Sequence, residues 1–418
     1  AGSGTLAAPQ LTNAPQGAGA GCVSGSGTGT LECGAGSTTG TASFSTAVGT
    51  LSVADGSFSS AFGRIADAGG SRSTAIGYNA DTAGAESVAL GDNARATVAG
   101  ATALGKSANA TGLDAVSVGR ESDATGTGAI AIGGDAGDNE GTDDSLGAQA
   151  TGNFSVAIGV DAVADFTDSI AIGSNSGSGG LRAISLGVFA DANSTDAVAI
   201  GGDANASGIG SMALGRLSVA SGTGSVALGN GAGAAGVSGS IAIGAAAQAQ
   251  GTDSIALGEN ASAASSSSIA IGDAANASGA DAIAIGEAAQ AVGDGTIGIG
   301  DFAQAVSDEA IAIGDSSLAD GVNSLALGVD TDAGGLESSA VGFDTNAAGD
   351  GASAFGRGAS AEGLNTAALG NGALATGGGA TSIGNTSRAL GNRSTAVGRE
   401  AQATETEATA VGHQALAS

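Results

Sequence analysis

The densest group of potential metal ligands is the acidic stretch GGDAGDNEGTDDS at residues 133–145. Carboxylate and carbonyl oxygens in a loop are the ligands that Ca²⁺ prefers. The stretch matches the calcium-binding β-roll phrase G-G-x-G-x-D poorly and occurs only once, so a solvated loop is the favoured interpretation. The weak candidate ligands are Asp135, Asp138, Glu140, Asp143 and Asp144.

Catalytic chemistry has little support elsewhere in the sequence. The one histidine, His413, lies near the C-terminal end, and the serines recur with a fixed period that marks them as structural. An enzyme needs convergent polar groups in a pocket. Phrases such as GGDANASGIG lack the Lys and the following helix of a phosphate-binding loop, and no His and Cys residues have zinc-site spacing. We predict no enzyme activity and no cofactor.

The two cysteines, Cys22 and Cys33, lie in a Gly- and Ser-rich stretch with ten residues between them. This spacing indicates a local disulfide, which is typical of exported proteins; two unpaired thiols are the alternative. The sequence shows no signal peptide and no apolar run long enough to span a membrane. We therefore expect export and anchoring elements outside this sequence, and no direct membrane insertion by this segment.

The formal charge of −29 limits the classes of partner. Nucleic-acid phosphates and anionic membrane surfaces would repel such a chain, so we predict that it binds neither. Four acids, each after a glycine and 14 residues apart, form a ladder that could attract cations, although a solvated face is the favoured interpretation. They are Asp273, Glu287, Asp301 and Asp315.

The elements that would position these residues follow from a repeat. Phrases ending in "AIG" or "ALG" recur from Gly49 to Gly412, and we call the final glycine of each phrase the anchor, position 0. There are 27 anchors, and 24 of the 26 intervals are 14 residues; the exceptions are Gly147 to Gly159 and Gly229 to Gly244. So strict a period is typical of a solenoid. Clear anchors are Gly159, Gly173, Gly258, Gly272, Gly286 and Gly314.

Each anchor follows a short strand pattern. Position −1 is apolar and position −2 is small, while position −3 is aliphatic in most repeats from Val88 to Leu325. Alternate residues of a strand point to opposite faces, so one face carries large aliphatics and the other only small groups. We expect both faces to be buried and association to run through the small-residue wall. The residues assigned to trimer or core packing are Ile158, Ile172, Ile271, Ile285, Ala270 and Ala284.

A second short strand follows each anchor in the pattern x-x-Ala-x-Ala-x-Gly, as at Ala275, Ala277 and Gly279. Two glycines half a repeat apart predict two corners per coil, where a positive φ or a close approach is needed. The fold class is therefore all-β, a parallel β-solenoid of about 27 coils of 14 residues. Residues 1–44 hold both cysteines and no anchor, and we predict an N-terminal cap there and a β-roll over 45–418.

The phrase Ser-Val-Ala-Ile-Gly followed by x-x-Ala-x-Ala-x-Gly resembles the head repeat of trimeric autotransporter adhesins of the Yersinia adhesin type. Clear copies are at 155–159, 225–229, 240–244, 254–258 and 268–272. The resemblance covers about residues 45–418 and implies a left-handed parallel β-roll and an obligate homotrimer. It also implies display on a Gram-negative cell surface, anchored in the outer membrane by a C-terminal region not present here.

The function that the resemblance implies is adhesion to host matrix proteins, host cells or abiotic surfaces, with self-association into biofilm. The sequence lacks a recognisable stalk, neck and anchor, and its head is long and acidic, departures that bear on matrix binding. The alternative function is a passive spacer rod that displays another domain, because so uniform a repeat distinguishes one rung little from the next.

Overall fold

The structure is a computed structural model that describes residues 21–135 and 147–418. In that part of the chain every regular element is a β-strand, and no helix is long and apolar enough to cross a membrane. The chain divides into two compact units, Ala1–Ala204 and Asn205–Ser418. Each unit is a parallel β-solenoid, so the predicted fold class is confirmed, with about 27 coils in the whole chain.

One coil contains two short strands on opposite walls. Wall A consists of the strands at positions −3 to −1, and wall B consists of those at positions +4 and +5. Each strand pairs in parallel with the equivalent strand of the next coil, as Ile269–Ile271 does with Ile283–Ile285. The repeat period thus becomes a ladder of identical positions, spaced by about 4.8 Å between neighbouring strands.

In the first unit, the parallel strands of wall A are Leu31–Cys33, Thr46–Val48, Ser60–Phe62, Thr74–Ile76, Val88–Leu90, Thr102–Leu104, Val116–Val118, Ile130–Ile132, Val156–Ile158, Ile170–Ile172, Ile184–Leu186 and Val198–Ile200. The strands of its wall B are Arg95–Ala96, Asn109–Ala110, Asp123–Ala124, Gln149–Ala150, Val163–Ala164, Gly177–Ser178 and Asp191–Ala192. Isolated parallel bridges extend wall B toward the N-terminus, from Thr38 to Arg95.

In the second unit, the strands of wall A are Met212–Leu214, Val226–Leu228, Ile241–Ile243, Ile255–Leu257, Ile269–Ile271, Ile283–Ile285, Ile297–Ile299, Ile311–Ile313, Leu325–Leu327, Ser339–Val341, Ser353–Phe355, Ala367–Leu369, Thr381–Ile383, Thr395–Val397 and Thr409–Val411. The strands of its wall B are Asn205–Ala206, Val219–Ala220, Gly233–Ala234, Gln248–Ala249, Ser262–Ala263, Asn276–Ala277, Gln290–Ala291, Gln304–Ala305, Leu318–Ala319, Asp332–Ala333, Asn346–Ala347, Ser360–Ala361, Leu374–Ala375, Arg388–Ala389, Gln402–Ala403 and Leu416–Ala417.

The interior of each coil is filled by the smallest side chains. In the coil of Gly272, the fully buried side chains are Ser268, Ala270, Ala275 and Ala277. Serine is tolerated because its hydroxyl can donate to the carbonyl oxygen three residues earlier, as Ser254 does to Gly251 at 2.7 Å. A satisfied hydroxyl avoids most of the cost of burying a polar group.

Two turns close each coil, as the half-repeat glycines predict. At one corner the amide of Ala275 donates to the carbonyl oxygen of Gly272, and at the other the amide of Ala282 donates to that of Gly279. The third residue of each turn has a positive φ, 53° at Ala274 and 56° at Asp281, which is the type II pattern. Many of these residues are Asn or Asp, which tolerate that conformation better than most residues.

The two glycines of a repeat serve different purposes. The anchor Gly272 has a φ of 135°, and a Cβ there would overlap the carbonyl oxygen of Gly286 in the next coil. Gly279, seven residues later, has no positive φ, but a Cβ there would overlap the carbonyl oxygen of Gly293. The second glycine is therefore required by the close stacking of coils alone.

The prediction that Gly147 is an anchor is wrong. The strand Ile130–Ile132 pairs directly with Val156–Ile158, so Gly133 and Gly159 are successive anchors of one 26-residue coil. Ala148 donates its amide to the carbonyl oxygen of Gly133, as residues at position +3 do in other coils. Twelve additional residues thus lie between Asp135 and Ala148. The other irregular coil, Gly229 to Gly244, has one extra corner residue, and Val237 beside it is 80% exposed.

An antiparallel strand ends wall A at the N-terminal side of the first unit. Cys22–Val23 pairs antiparallel with Leu31–Cys33, which in turn pairs in parallel with Thr46–Val48. Cys22 and Cys33 lie opposite each other in this pair, and their Sγ atoms are bonded at 2.01 Å. The division into a cap at 1–44 and a roll at 45–418 stays a prediction, since parallel pairing already includes Leu31–Cys33.

Candidate functional site: the outer faces of the coils

The aliphatic side chains of wall A lie on the outside of each unit. Ile158 and Ile172 in the first unit, and Ile271 and Ile285 in the second, are only partly buried. Ala270 and Ala284, which alternate with these residues on the same strands, have no exposed surface. The expectation that both faces are buried, with association through the small-residue wall, is therefore wrong. The small residues form the interior of the coil, and the large ones form its surface.

The physical reason is the width of the coil. Two strands joined by turns of this length leave an interior that only Ala, Ser and the occasional Thr can fill. Branched side chains of the same strand must then point outward, because neighbouring residues alternate between the faces. A sequence signal for this arrangement exists: small residues recur at positions −4, −2, +3 and +5, and their convergence defines one inside.

The outward residues of wall A form two in-register columns, at positions −1 and −3. In the second unit Leu228, Leu257 and Leu327 are 44%, 41% and 41% exposed. Position −3 is aliphatic from Met212 to Leu325 and becomes Ser, Ala or Thr from Ser339 onward. Exposed hydrophobic residues are ordinary when they are scattered, but a continuous apolar column marks an interaction surface. Wall A is therefore the candidate functional surface of each unit.

The acidic ladder lies at the corner that follows wall A. Asp273, Glu287, Asp301 and Asp315 are all exposed, and one of them has a structural use: the amide of Glu287 donates to Oδ1 of Asp301 at 3.0 Å. The same arrangement joins the amide of Ala280 to Asp294 at the opposite corner, at 2.9 Å. Corner amides of one coil are thus capped by carboxylates of the next, and part of the acidity serves the backbone.

Of the five candidate calcium ligands, the structure describes Asp135 alone, and Asp138, Glu140, Asp143 and Asp144 lie outside the described residues. The side chain of Asp135 is 7% exposed, and its Oδ2 lies 3.0 Å from Nη2 of Arg120. Across residues 21–135 and 147–418, no three His, Cys, Asp or Glu residues group as metal ligands would. A guanidinium beside Asp135 already compensates the charge that a cation would otherwise neutralise.

His413 lies in an exposed corner column, where its Nε2 contacts Nη2 of Arg399. The two residues are 14 apart and so occupy the same position in successive coils. Other side chains stack in the same way: the rings of Phe44 and Phe58 lie 5.2 Å apart, and Nε of Arg182 donates to Asp196 at 2.6 Å. These corner pairs reinforce the register of the coils and bring no convergent set of catalytic groups together.

Electrostatic perturbation is concentrated on wall B. Burial raises the pKa of Asp67, Asp123 and Asp332 above the ordinary 3.8, and all three lie at position +4. Neighbouring carboxylates add to the increase at Asp67 and Asp332, whereas a hydrogen bond from Asn109 opposes it at Asp123. At a corner, the hydrogen bond from Arg182 lowers the pKa of Asp196. A charge on wall B therefore carries a desolvation penalty.

The geometry agrees with a comparison of the chain with protein families. The model of the YadA head domain repeat (2 copies) matches most of the sequence. The matched residues are 41–64, 68–94, 83–108, 96–122, 110–136, 150–176, 178–204, 206–232, 238–261, 249–275, 263–289, 277–303, 291–317, 305–331, 319–345, 333–359, 347–373 and 375–401. A comparison with curated proteins gave no match. Because the matched repeats coincide with the coils and extend over well over half of its length, the chain belongs to the YadA head domain repeat family.

Proposed function

We propose that the chain is the head of a trimeric surface adhesin, in which three copies associate through wall A. The family implies an adhesin of the trimeric autotransporter type, anchored in the outer membrane, and its repeats are typical of a protein without enzyme activity. The proposal extends to a left-handed coil and to attachment of the trimer to host matrix, host cells or abiotic surfaces, with self-association.

The observation that supports the trimer is the pair of aliphatic columns on wall A. Full burial of a Val, Leu or Ile side chain stabilises by about 1.5–3 kcal/mol, so covering the exposed remainder of one such residue contributes about 1 kcal/mol. A closed ring of copies covers the columns and also stops further growth. The thin interior of Ala and Ser gives each coil little stability of its own, which makes association through wall A a structural requirement.

The test is the mass of the purified chain by light scattering after size-exclusion chromatography. We expect three chains per particle for the wild type. The double variant Ile271→Asp/Ile285→Asp places two charges within the columns and should dissociate the trimer or reduce its association constant more than about a hundredfold. The matched control, Ala274→Asp/Ala288→Asp, adds the same charges to the same coils at exposed corners, where Asp occurs in other repeats.

A monomeric wild type would overturn the trimer. A trimer whose mass is unchanged in Ile271→Asp/Ile285→Asp would show that wall A is not the interface. Adhesion itself is tested by binding of the wild-type trimer to immobilised matrix proteins, cells and plastic. A stable trimer that binds none of them would favour the alternative function, a passive spacer.

A further inference from the structure

The outer face of wall B includes a segment without any charge. It consists of positions +4 and +6 of the seven coils from Gly215 to Gly300, and runs from Val219 to Val306; we call it the neutral strip. None of its 14 side chains is ionisable. The seven carboxylates of the same segment, from Asp253 to Asp301, all lie at corner positions. Charge is thus confined to the edges of the wall, in a chain whose net charge is −29.

The fold does not demand this neutrality. In the same unit, equivalent positions beyond the strip carry Asp320, Asp332, Glu362 and Arg388 without any change in the strands. The strip is also rich in amides whose side chains are not used inside the chain. Asn276, Gln290 and Gln304 are at least partly exposed, and their side-chain amides form no hydrogen bond within the described residues.

We propose that the neutral strip is a contact surface for a second copy of this chain from another trimer, packed wall B against wall B. The inference rests on the proposed function, since it takes wall A to be covered within the trimer. An amide group donates and accepts equally well, so a surface of amides is complementary to itself across a two-fold axis. The strip is the long face of this unit on which two such acidic chains avoid direct contact between carboxylates.

The size of the strip determines how strong one contact is. Seven coils at about 4.8 Å each, and a width of about 10 Å, give about 350 Å² per copy. The total of about 700 Å² is below the ~1,200 Å² of stable specific interfaces. A single contact is therefore weak, and many contacts between arrays of heads on facing surfaces would be needed for lasting association.

The acidic corners on either side of the strip predict how this contact depends on salt. Packed sheets lie about 10 Å apart, which brings the corners of the two copies to a similar separation. Charges at that distance repel appreciably at low salt and are largely screened at a Debye length of about 8 Å near 0.15 M. Self-association should strengthen as salt is added, whereas binding of a cationic partner to the same corners would weaken.

The experiment is sedimentation of the purified trimer over a range of concentrations, from about 20 mM to about 300 mM NaCl. We expect particles larger than the trimer whose fraction increases with salt. Gln290→Glu/Gln304→Glu, which keeps shape and adds charge to the strip, should lower this association at least about tenfold. The control Gln149→Glu/Gln402→Glu makes the same change at position +4 outside the strip and should leave it unchanged.

Failure of this inference is separable from failure of the trimer, because both variants also report the mass of the basic particle. A wild-type trimer that never forms larger particles, or equal loss in both double variants, would overturn the strip as a contact surface. If Gln290→Glu/Gln304→Glu dissociates the trimer itself, wall B belongs to the primary interface and both proposals are wrong. A monomeric wild type whose larger particles are lost only in Gln290→Glu/Gln304→Glu would overturn the trimer and support the strip.

A different occupant has its own signature. If Gln290→Glu/Gln304→Glu self-associates like the wild type but no longer binds beads coated with an uncharged polysaccharide, the strip is a glycan surface and the inference about a second copy is overturned.

Discussion

The inner and outer faces of a wall-A strand reverse the usual distribution of side-chain size. In Ile269–Ile271 the central alanine points inward and has no exposed surface, while the two isoleucines point outward and stay partly exposed. In most globular proteins the large aliphatics are inside. Here the inside is reserved for what two closely spaced walls can hold, and the large residues remain for contact between copies.

The difference separates two sources of stability. The inner face fixes the coil, through in-register alanines such as Ala256, Ala270 and Ala284. The outer face contributes little to a single coil and much to association. Substitutions on the two faces of one strand should therefore fail in different ways.

The largest expected effect comes from exchanging size between the faces. Ala270→Ile inserts a branched side chain between fully buried alanines and should cost about 3 kcal/mol or more, because the backbone of the neighbouring coils cannot move aside. Ile271→Ala should leave the coil folded and weaken the trimer. Amide hydrogen exchange over residues 255–286 reports the first effect, and particle mass reports the second. Greater loss of amide protection in Ile271→Ala than in Ala270→Ile would contradict the assignment of the faces.

A smaller effect is expected for glycines, which sharpen the contrast between stacked and open backbone. Gly272→Ala combines a φ of 135° with overlap of the next coil, whereas Gly231→Ala meets nothing within 4 Å at a φ of 66°. We expect a loss of about 3 kcal/mol for the first and about 1 kcal/mol for the second. Thermal unfolding followed by circular dichroism measures both, and equal losses would show that conformation, not stacking, requires the anchor.

The sequence predicts the period, the two strands and the two corners of each coil, because alternation and glycine spacing are local properties. It does not by itself reveal which face of Ile269–Ile271 is inside, since alternation defines two faces without assigning a direction. The phrase Ser145-Leu146-Gly147 resembles an anchor in letters alone; its status depends on Ile130–Ile132 pairing with Val156–Ile158, a contact across 26 residues. The role of Gly279 was also hidden, because close stacking leaves no mark on φ.

The smallest expected effect concerns charge on the outer face of wall B, where Asp332 lies between Leu318 and Asn346. Burial, and secondarily Asp320, raises the pKa of Asp332 above the ordinary 3.8. The folded state then disfavours the charged form, so the stability contributed by the protonated group is fully present below 3.8 and is lost as the pH rises through the folded pKa. Asp332→Asn should stabilise the protein slightly at pH 7, by an amount that disappears on acidification below 3.8.

Thermal unfolding of Asp332→Asn and of the wild type across this pH range measures the difference directly, so that the general relief of repulsion in so acidic a chain cancels. Asp320→Asn removes only the secondary cause and should reproduce a minor part of the gain. A difference between Asp332→Asn and wild type that is absent at pH 7, or that grows on acidification, would show that wall B tolerates charge as freely as the corners do. The neutral strip would then need no explanation based on desolvation, and its lack of charge would point still more directly to a partner.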